Sequence, residues 1–440
     1  MATLLPGDGA DGDIVISSDT NPHITAISDG RTQPDMCAFT VSAIGTSDVT
    51  LDENPVGLTV GDEVLLINLN GRPEHPAGSR TSNAGRYETF RITSIETNPN
   101  YRVYFDSTVD KFYGDGASDN LNVDLHPVML QRIPNYNSFT VNNGFTFQGS
   151  AENAEKYGVM YMRVKNTCLV NGTISMSERG GIGGYGTNVA TTMQGRGPGA
   201  GRPVSTSAAY SSGAGGHATE GQKDSANYPT PAYFWSSAYG DANLDRLSMG
   251  SGGGAERYRQ GNFNGGTGGG ALFIAANTID VFGAIEADGG PGSGYLDCQS
   301  GSGAGGGVLL HAGTIYTRSG HISAAGNTAV RNGGQGRVAV YYNTLGDQLT
   351  IRAAAGSYTA TSLFTDTELT LPYYLAGILS EDAVLRVYDS ATGNLITTHS
   401  GTTGAYEVTT PSTGPYDILG KPADTEAGAL AFRDVVSEQH

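Results

Sequence analysis

Two carboxylates two residues apart, Glu286 and Asp288, are the first candidates for chemistry in this 440-residue chain. On a β-strand, residues i and i+2 share a face. Paired carboxyl groups at ~5–9.5 Å act as acid and base in sugar-cleaving enzymes. Asp280 lies on the preceding strand-forming segment. The sequence sets no second carboxylate at that separation, and solvated acids beside a turn produce the same pattern. Ser251, in Gly250-Ser-Gly-Gly, sits in a glycine run with no helix to follow, so it lacks the strand-to-helix elbow of a serine nucleophile. The glycine runs are not followed by Lys-Ser or Lys-Thr, which excludes a phosphate loop of the Walker type. The expectation is no catalytic residue and no cofactor.

Binding chemistry is better represented. The segment Asn227-Tyr-Pro-Thr-Pro-Ala-Tyr-Phe-Trp-Ser-Ser-Ala-Tyr-Gly holds Trp235, the single tryptophan, with Tyr228, Tyr233, Phe234 and Tyr239. Aromatic rings on a stiff loop form recognition surfaces, including for sugars that stack on them. A cap over the core or a subunit contact uses the same residues. The five aromatics are the candidate binding residues. Two acidic turns, Asp8-Gly-Ala-Asp-Gly-Asp and Asp115-Gly-Ala-Ser-Asp-Asn, offer hard oxygen ligands. Neither has the EF-hand spacing, and both read as ordinary Asx turns. Cys37, Cys168 and Cys298 show no metal-ligand spacing. They are expected to be small buried thiols, and no metal site is expected.

Composition narrows the setting. There are 43 acidic and 25 basic residues, for a net charge of −18. Such a chain lacks the electrostatic footprint of a nucleic-acid binder and is not drawn to anionic membranes. No apolar run approaches the ~18 residues of a spanning helix. Only 15% of residues are charged. Polarity comes from Ser, Thr, Asn and Gly, as in extracellular β-proteins. No export signal is visible after Met1. The combination points to a virion protein released by lysis, or to a surface protein whose leader was removed.

These residues must be positioned by a chain with 65 glycines, of which 41 fall between residues 172 and 336. The expected organisation is an N-terminal β domain over 1–156, a glycine-rich β-repeat domain over 157–345, a connecting segment over 346–374 and a small C-terminal β-sandwich over 375–440. In the first domain, Thr59-Val-Gly-Asp-Glu-Val-Leu-Leu-Ile-Asn, Tyr87-Glu-Thr-Phe-Arg-Ile and Tyr101-Arg-Val-Tyr-Phe read as strands of a small barrel or sandwich. In the second, segments opening at Gly158, Gly270, Gly307 and Gly336 stack as a degenerate repeat, with Gly172, Gly283 and Gly320 at equivalent turns. That is the pattern of a β-solenoid. The glycine runs between the repeats have three readings: polyglycine-II-type strands packed side by side, irregular loops, or disorder. No segment carries a helical period, so the fold class is mainly β.

The order Gly61-Asp-Glu-Val-Leu-Leu-Ile, Arg132-Ile-Pro-Asn-Tyr-Asn, Val170-Asn-Gly-Thr-Ile-Ser, Gly268-Gly-Gly-Ala-Leu-Phe-Ile-Ala-Ala-Asn-Thr-Ile-Asp-Val-Phe-Gly and Gly334-Gln-Gly-Arg-Val-Ala-Val resembles large glycine-rich surface proteins of bacteria and tailed phages. The resemblance covers roughly residues 55–345. Arg386-Val-Tyr-Asp-Ser-Ala-Thr-Gly-Asn-Leu is similar to small sandwich modules appended to phage tail and virion proteins. The chain departs from bacterial members in lacking their leader and wall anchor, which favours the phage setting. The resemblance implies a non-enzymatic tail fibre, spike or adhesin-like virion component. Its partners would be copies of itself, other virion proteins and a host-surface glycan or protein. A bacterial adhesin and a glycan depolymerase on a β-solenoid are the alternatives.

Overall fold

The computed structural model describes residues 6–69, 83–97, 99–110, 113, 127–153, 155–186, 194–202, 204–205, 211–223, 236–258, 261–295, 298–347, 349–352 and 363–364. Beyond these it describes only the backbone of six C-terminal strands. Every regular element among them is a β-strand. Residues 6–364 form one compact unit and residues 365–440 a second.

Six strands close an antiparallel barrel in the order Ala38–Ile44, Asp48–Leu51, Tyr101–Phe105, Tyr87–Glu96, Glu63–Asn68 and Val128–Ile133. Its interior is apolar, built on Val41, Val64, Leu66, Phe90, Val103 and Leu130. Phe90 and Phe105 stack within it at 4.4 Å. Glu63–Asn68 and Val128–Ile133 are buried along their whole lengths, which is why neither shows the alternation of a half-exposed strand.

Two parallel sheets are the larger part of the rest of the first unit, beside a small three-stranded sheet and a two-stranded one. The larger runs Asp13–Ile16, Ser138–Val141, Val159–Val170, Ala271–Val281, Gly307–Tyr316, Arg337–Leu345 and Leu363–Phe364, with Asn135–Tyr136 beside Val159–Val170. The smaller runs Thr146–Gln148, Thr173–Ser175, Ala284–Glu286, His321–Ser323 and Ile351–Arg352. Each pass of the chain gives a long strand to the first sheet, turns at glycine, and gives a short strand to the second. Gly172 and Gly283 are such turns. A Cβ on Gly283 would lie 1.9 Å from the Gly172 carbonyl oxygen, so only glycine lets successive turns stack. The facing sides share one core. Leu272, Ile274 and Ile279 come from the large sheet, and Phe147, Ile174, Ile285 and Ile322 line up rung on rung in the small one. The repeat segments read from sequence are adjacent in register, Val159 beside Ala271, Ala271 beside Gly307 and Gly307 beside Arg337. The third segment is therefore aligned on Gly306.

The C-terminal unit has an antiparallel pair, Tyr373–Leu379 with Gly404–Thr410. Beside it in the chain, a four-stranded antiparallel sheet is ordered Leu395–Gly401, Ala383–Asp389, Tyr416–Pro422 and Leu430–Val435.

Candidate binding surface beyond the glycine runs

The glycine runs continue the strands of the parallel sheets. Ala284–Glu286 leads into 287–290, the chain turns back, and 301–306 leads into the next long strand. The run 301–306 shows how they pack. Gly301 and Ala304 donate to Gly254 and Ser251, Ser302 and Gly305 donate to Arg331 and Gly334, and Gly303 and Gly306 donate to Gly290 and Ala287. Donors three residues apart thus reach the same neighbour, which is the period of a polyproline-II-type chain with three residues per turn. Carbonyls point to three further neighbours: Gly301 and Ala304 accept from Gly266 and Gly269, Ser302 from Gly215, and Gly303 from Asn327. The run is therefore surrounded by six others, and its backbone groups are satisfied sideways, as a dry interior demands. A Cβ on Gly301 would lie 1.9 Å from the Gly213 oxygen, so glycine is required for this spacing. Of the three readings of these runs, the side-by-side packing is the one observed.

Pairing directions set where the connections fall. Gly265 and Gly268 pair with Gly184 and Gly181, Gly250 and Gly253 with Gly269 and Gly266, and Gly213 and Gly216 with Arg202 and Gly199, all antiparallel. The runs ending at Gly184, Arg202, Gly254 and Gly290 therefore finish on the side where those at Gly213, Gly265 and Gly301 begin. That side lies opposite the parallel sheets. The described parts of its connections include the hairpin Glu256–Tyr258 with Gly261–Phe263 and the hairpin Gly294–Tyr295 with Cys298–Gln299. Tyr185, beside Gly184, is strongly exposed. Lys223 offers its carbonyl to Arg331 in the same group of turns.

Tyr228, Tyr233, Phe234 and Trp235 lie outside the described residues. Tyr239, the fifth candidate, is built into the glycine packing. Its backbone N–H donates to the His217 carbonyl at 2.8 Å, and its hydroxyl donates to the Met249 carbonyl and accepts from Ser251 Oγ at 3.0 Å. Burial pushes its phenol well up. Ser251 Oγ also accepts from the Gly199 N–H at 3.0 Å, so this serine spans three runs. Sequence reasoning missed a second buried pair, His217 and Ser248, joined at 2.8 Å between Nε2 and Oγ. It has the atoms of a nucleophile and base, but both residues are sealed from solvent, at 0% and 1% exposure.

The carboxylate pair is occupied within the fold. Glu286 meets His321 Nε2 at 3.2 Å. Asp288 accepts from Ser323 Oγ and the Ala325 N–H, both at 2.6 Å. Asp280 pairs with Arg318 at 3.0 Å. In the first acidic turn, Asp8 accepts from the Ala10 N–H two residues on, an Asx turn, while Asp11 pairs with Arg132 at 2.6 Å. The second acidic turn, 115–120, lies outside the described residues. Cys37 and Cys168 are buried free thiols, pushed up by burial to about 11 and about 12. The Cys298 side chain is not among those described.

No family model matches the chain, and no curated protein does. Among solved structures it is similar to the crystal structure of the Pseudomonas phage phi297 tailspike, with a TM-score of 0.18 and 9% identity over 93% of this chain and 85% of that one. A score that low establishes no common fold.

Proposed function

We propose that the chain is a non-enzymatic virion structural protein of a tailed phage, a tail fibre, spike or adhesin-like component that displays a host-binding surface. The observation that carries this reading is the gathering of the glycine-run connections on one side of a lattice whose interior tolerates almost no side chains. Such a scaffold holds variable loops on a rigid base, as recognition surfaces require. In this reading the stacked coils are a short β-solenoid, the six C-terminal strands are a sandwich module, and Tyr228, Tyr233, Phe234 and Trp235 contribute to the binding surface. The engagement of Glu286, Asp288 and Asp280 with neighbouring side chains supports a role without catalysis. Copies of the chain and other virion proteins are its partners, and the virion is its location.

The test is adsorption. Trp235→Ala is expected to lower binding to host cells while leaving the unfolding transition unchanged. Undiminished adsorption removes the aromatic segment from the binding surface. Release of reducing ends from host polysaccharide by the wild-type chain overturns the non-enzymatic reading.

A further inference from the structure

The large parallel sheet has an outer face that divides in two. Over one half, Tyr161, Phe273, His311 and Ala339 are buried. Over the other half the face is open, and there each strand departs from alternation at the same level. Buried Ala276 and Ile279 are separated by two outward residues, Asn277 and Thr278. Ala312 and Ile315 are likewise separated by two residues, and Val164 and Cys168 by three exposed ones, Lys165, Asn166 and Thr167, where the register shifts. Aligned in register, these kinks set Thr167, Thr278, Thr314 and Thr344 beside one another on four successive strands. Ser138 precedes them, because Phe139 pairs with Cys168. None of the five hydroxyls bonds to another described residue. Adjacent strands lie about 4.8 Å apart, so the hydroxyls repeat at that interval across the sheet.

A second row runs beside the first, formed by Asn137, Asn166, Asn277 and Asn343, and is interrupted at Gly313 on the strand between the last two. Its first members are fixed: Asn166 Nδ2 donates to Asn137 Oδ1 at 2.9 Å, and Asn137 Nδ2 donates to Asp13 at 2.7 Å. In a chain of net charge −18, both rows are uncharged. The ionic groups at their border include Asp280 and Asp347, which both meet Arg318, and Lys165 and Asp13 at one end.

We propose that this kinked face binds a linear, uncharged polysaccharide laid across the strands along the hydroxyl row. Hydroxyl and amide groups both donate and accept, which suits a ligand whose own groups are hydroxyls. The interval between strands is close to the length of one sugar in an extended glycan, so each strand offers one hydroxyl to each sugar, with an amide neighbour on every strand except that of Thr314, where Gly313 stands. The rigid sheet fixes these groups before binding, which lowers the ordering cost. This site is separate from the connections beyond the glycine runs and does not depend on them.

Affinity electrophoresis of the full chain tests it, in gels carrying soluble xylan or hydroxyethylcellulose, both extended β-1,4-linked chains. Retardation is expected in these gels and not in dextran, a flexible chain. The double variant Thr278→Val with Thr314→Val keeps the shape and removes two hydroxyls. It should weaken retardation about tenfold or more, the equivalent of ~1.4 kcal/mol, with an unchanged unfolding midpoint. Thr278→Ser should retain it, and Trp235→Ala should leave it untouched. The proposal is overturned by absence of retardation in both glycans, by equal retardation of the valine variant, or by loss in Trp235→Ala. It is equally overturned if the wild-type chain sediments as an oligomer that Thr278→Arg dissociates, since the face would then belong to a second copy.

Discussion

His217 donates from Nδ1 to the carbonyl of Gly305 at 2.8 Å. Three residues earlier, the carbonyl of Ser302 takes its bond from the Gly215 N–H. By the three-residue period of the run, both carbonyls point to the same neighbour, so the imidazole stands in for a backbone donor where chain 212–216 leaves the lattice. A carbonyl only accepts, so Nδ1 carries the proton and Nε2 accepts from Ser248 Oγ. Burial holds the ring neutral, with its pKa lowered to about 3.

Replacing that donor exposes its contribution. His217→Phe fills the space but leaves the Gly305 carbonyl and the Ser248 hydroxyl without their partner. A buried group so orphaned costs ~1–3 kcal/mol, so the variant should be destabilised by roughly 2–4 kcal/mol in urea unfolding. A wild-type midpoint would show that the imidazole is not a lattice member.

The lattice also predicts opposite sensitivities at neighbouring positions. At Gly301 an added Cβ meets backbone oxygen at 1.9 Å, which cannot turn aside as a side chain could. Gly301→Ala should cost ~3 kcal/mol or more, the upper range for overpacking. Ala304, three residues on, already carries a buried Cβ, and Ala304→Gly should cost only ~1 kcal/mol through the unfolded chain. Equal effects at the two sites, in parallel thermal melts, would contradict the six-neighbour packing.

Much of this architecture is legible in the residues. The runs Glu63–Asn68 and 271–276 read as strands because they are buried on both faces. Gly172, Gly283 and Gly320 mark the turns because no other residue stacks there. The glycine runs were ambiguous for a physical reason: with no side chains they carry no periodic signal, and their order resides in backbone bonds to distant partners. The imidazole of His217 was invisible likewise, since a lone histidine after Gly215-Gly announces nothing about a carbonyl 88 residues away. The kinked threonine row was hidden because Thr167, Thr278, Thr314 and Thr344 become neighbours only in register. The roles of Glu286 and Asp288 were open in sequence because their partners, His321 and Ser323, come from the next coil.

Barrel and sheets are joined by buried charge. Arg163, on the long strand Val159–Val170, meets Glu63 of the barrel at 2.7 Å, with both side chains under 10% exposed. Asn135 donates to the same carboxylate at 3.0 Å. Arg163→Ala strands that carboxylate and should cost ~3–5 kcal/mol. Arg163→Met with Glu63→Gln removes both charges and should recover most of the loss. Equilibrium unfolding of the single and double variants decides it. A double variant as unstable as Arg163→Ala would mean that packing, rather than the stranded charge, dominates.

Acid should loosen the first unit within a definite window. His23, His217 and His311 are buried, and burial lowers their pKa values from 6.5 to about 4, about 3 and about 3. Between pH 6.5 and those values the unfolded chain binds protons that the native chain refuses. Stability is therefore fully present above about pH 6.5 and falls as pH drops, by up to ~1.4 kcal/mol per pH unit for each histidine. His311 isolates one share of the effect. Its ring lies 4.6 Å from Tyr341 and 5.1 Å from Phe273, and neither ring nitrogen has a hydrogen-bond partner among the described residues. His311→Phe should be neutral or stabilising at pH 7, because it removes unsatisfied polar atoms from an aromatic stack. Between pH 6 and 4.5 it should reduce the pH slope of the urea midpoint by about a third. A slope identical to wild type would show that His311 does not resist protonation in the native state.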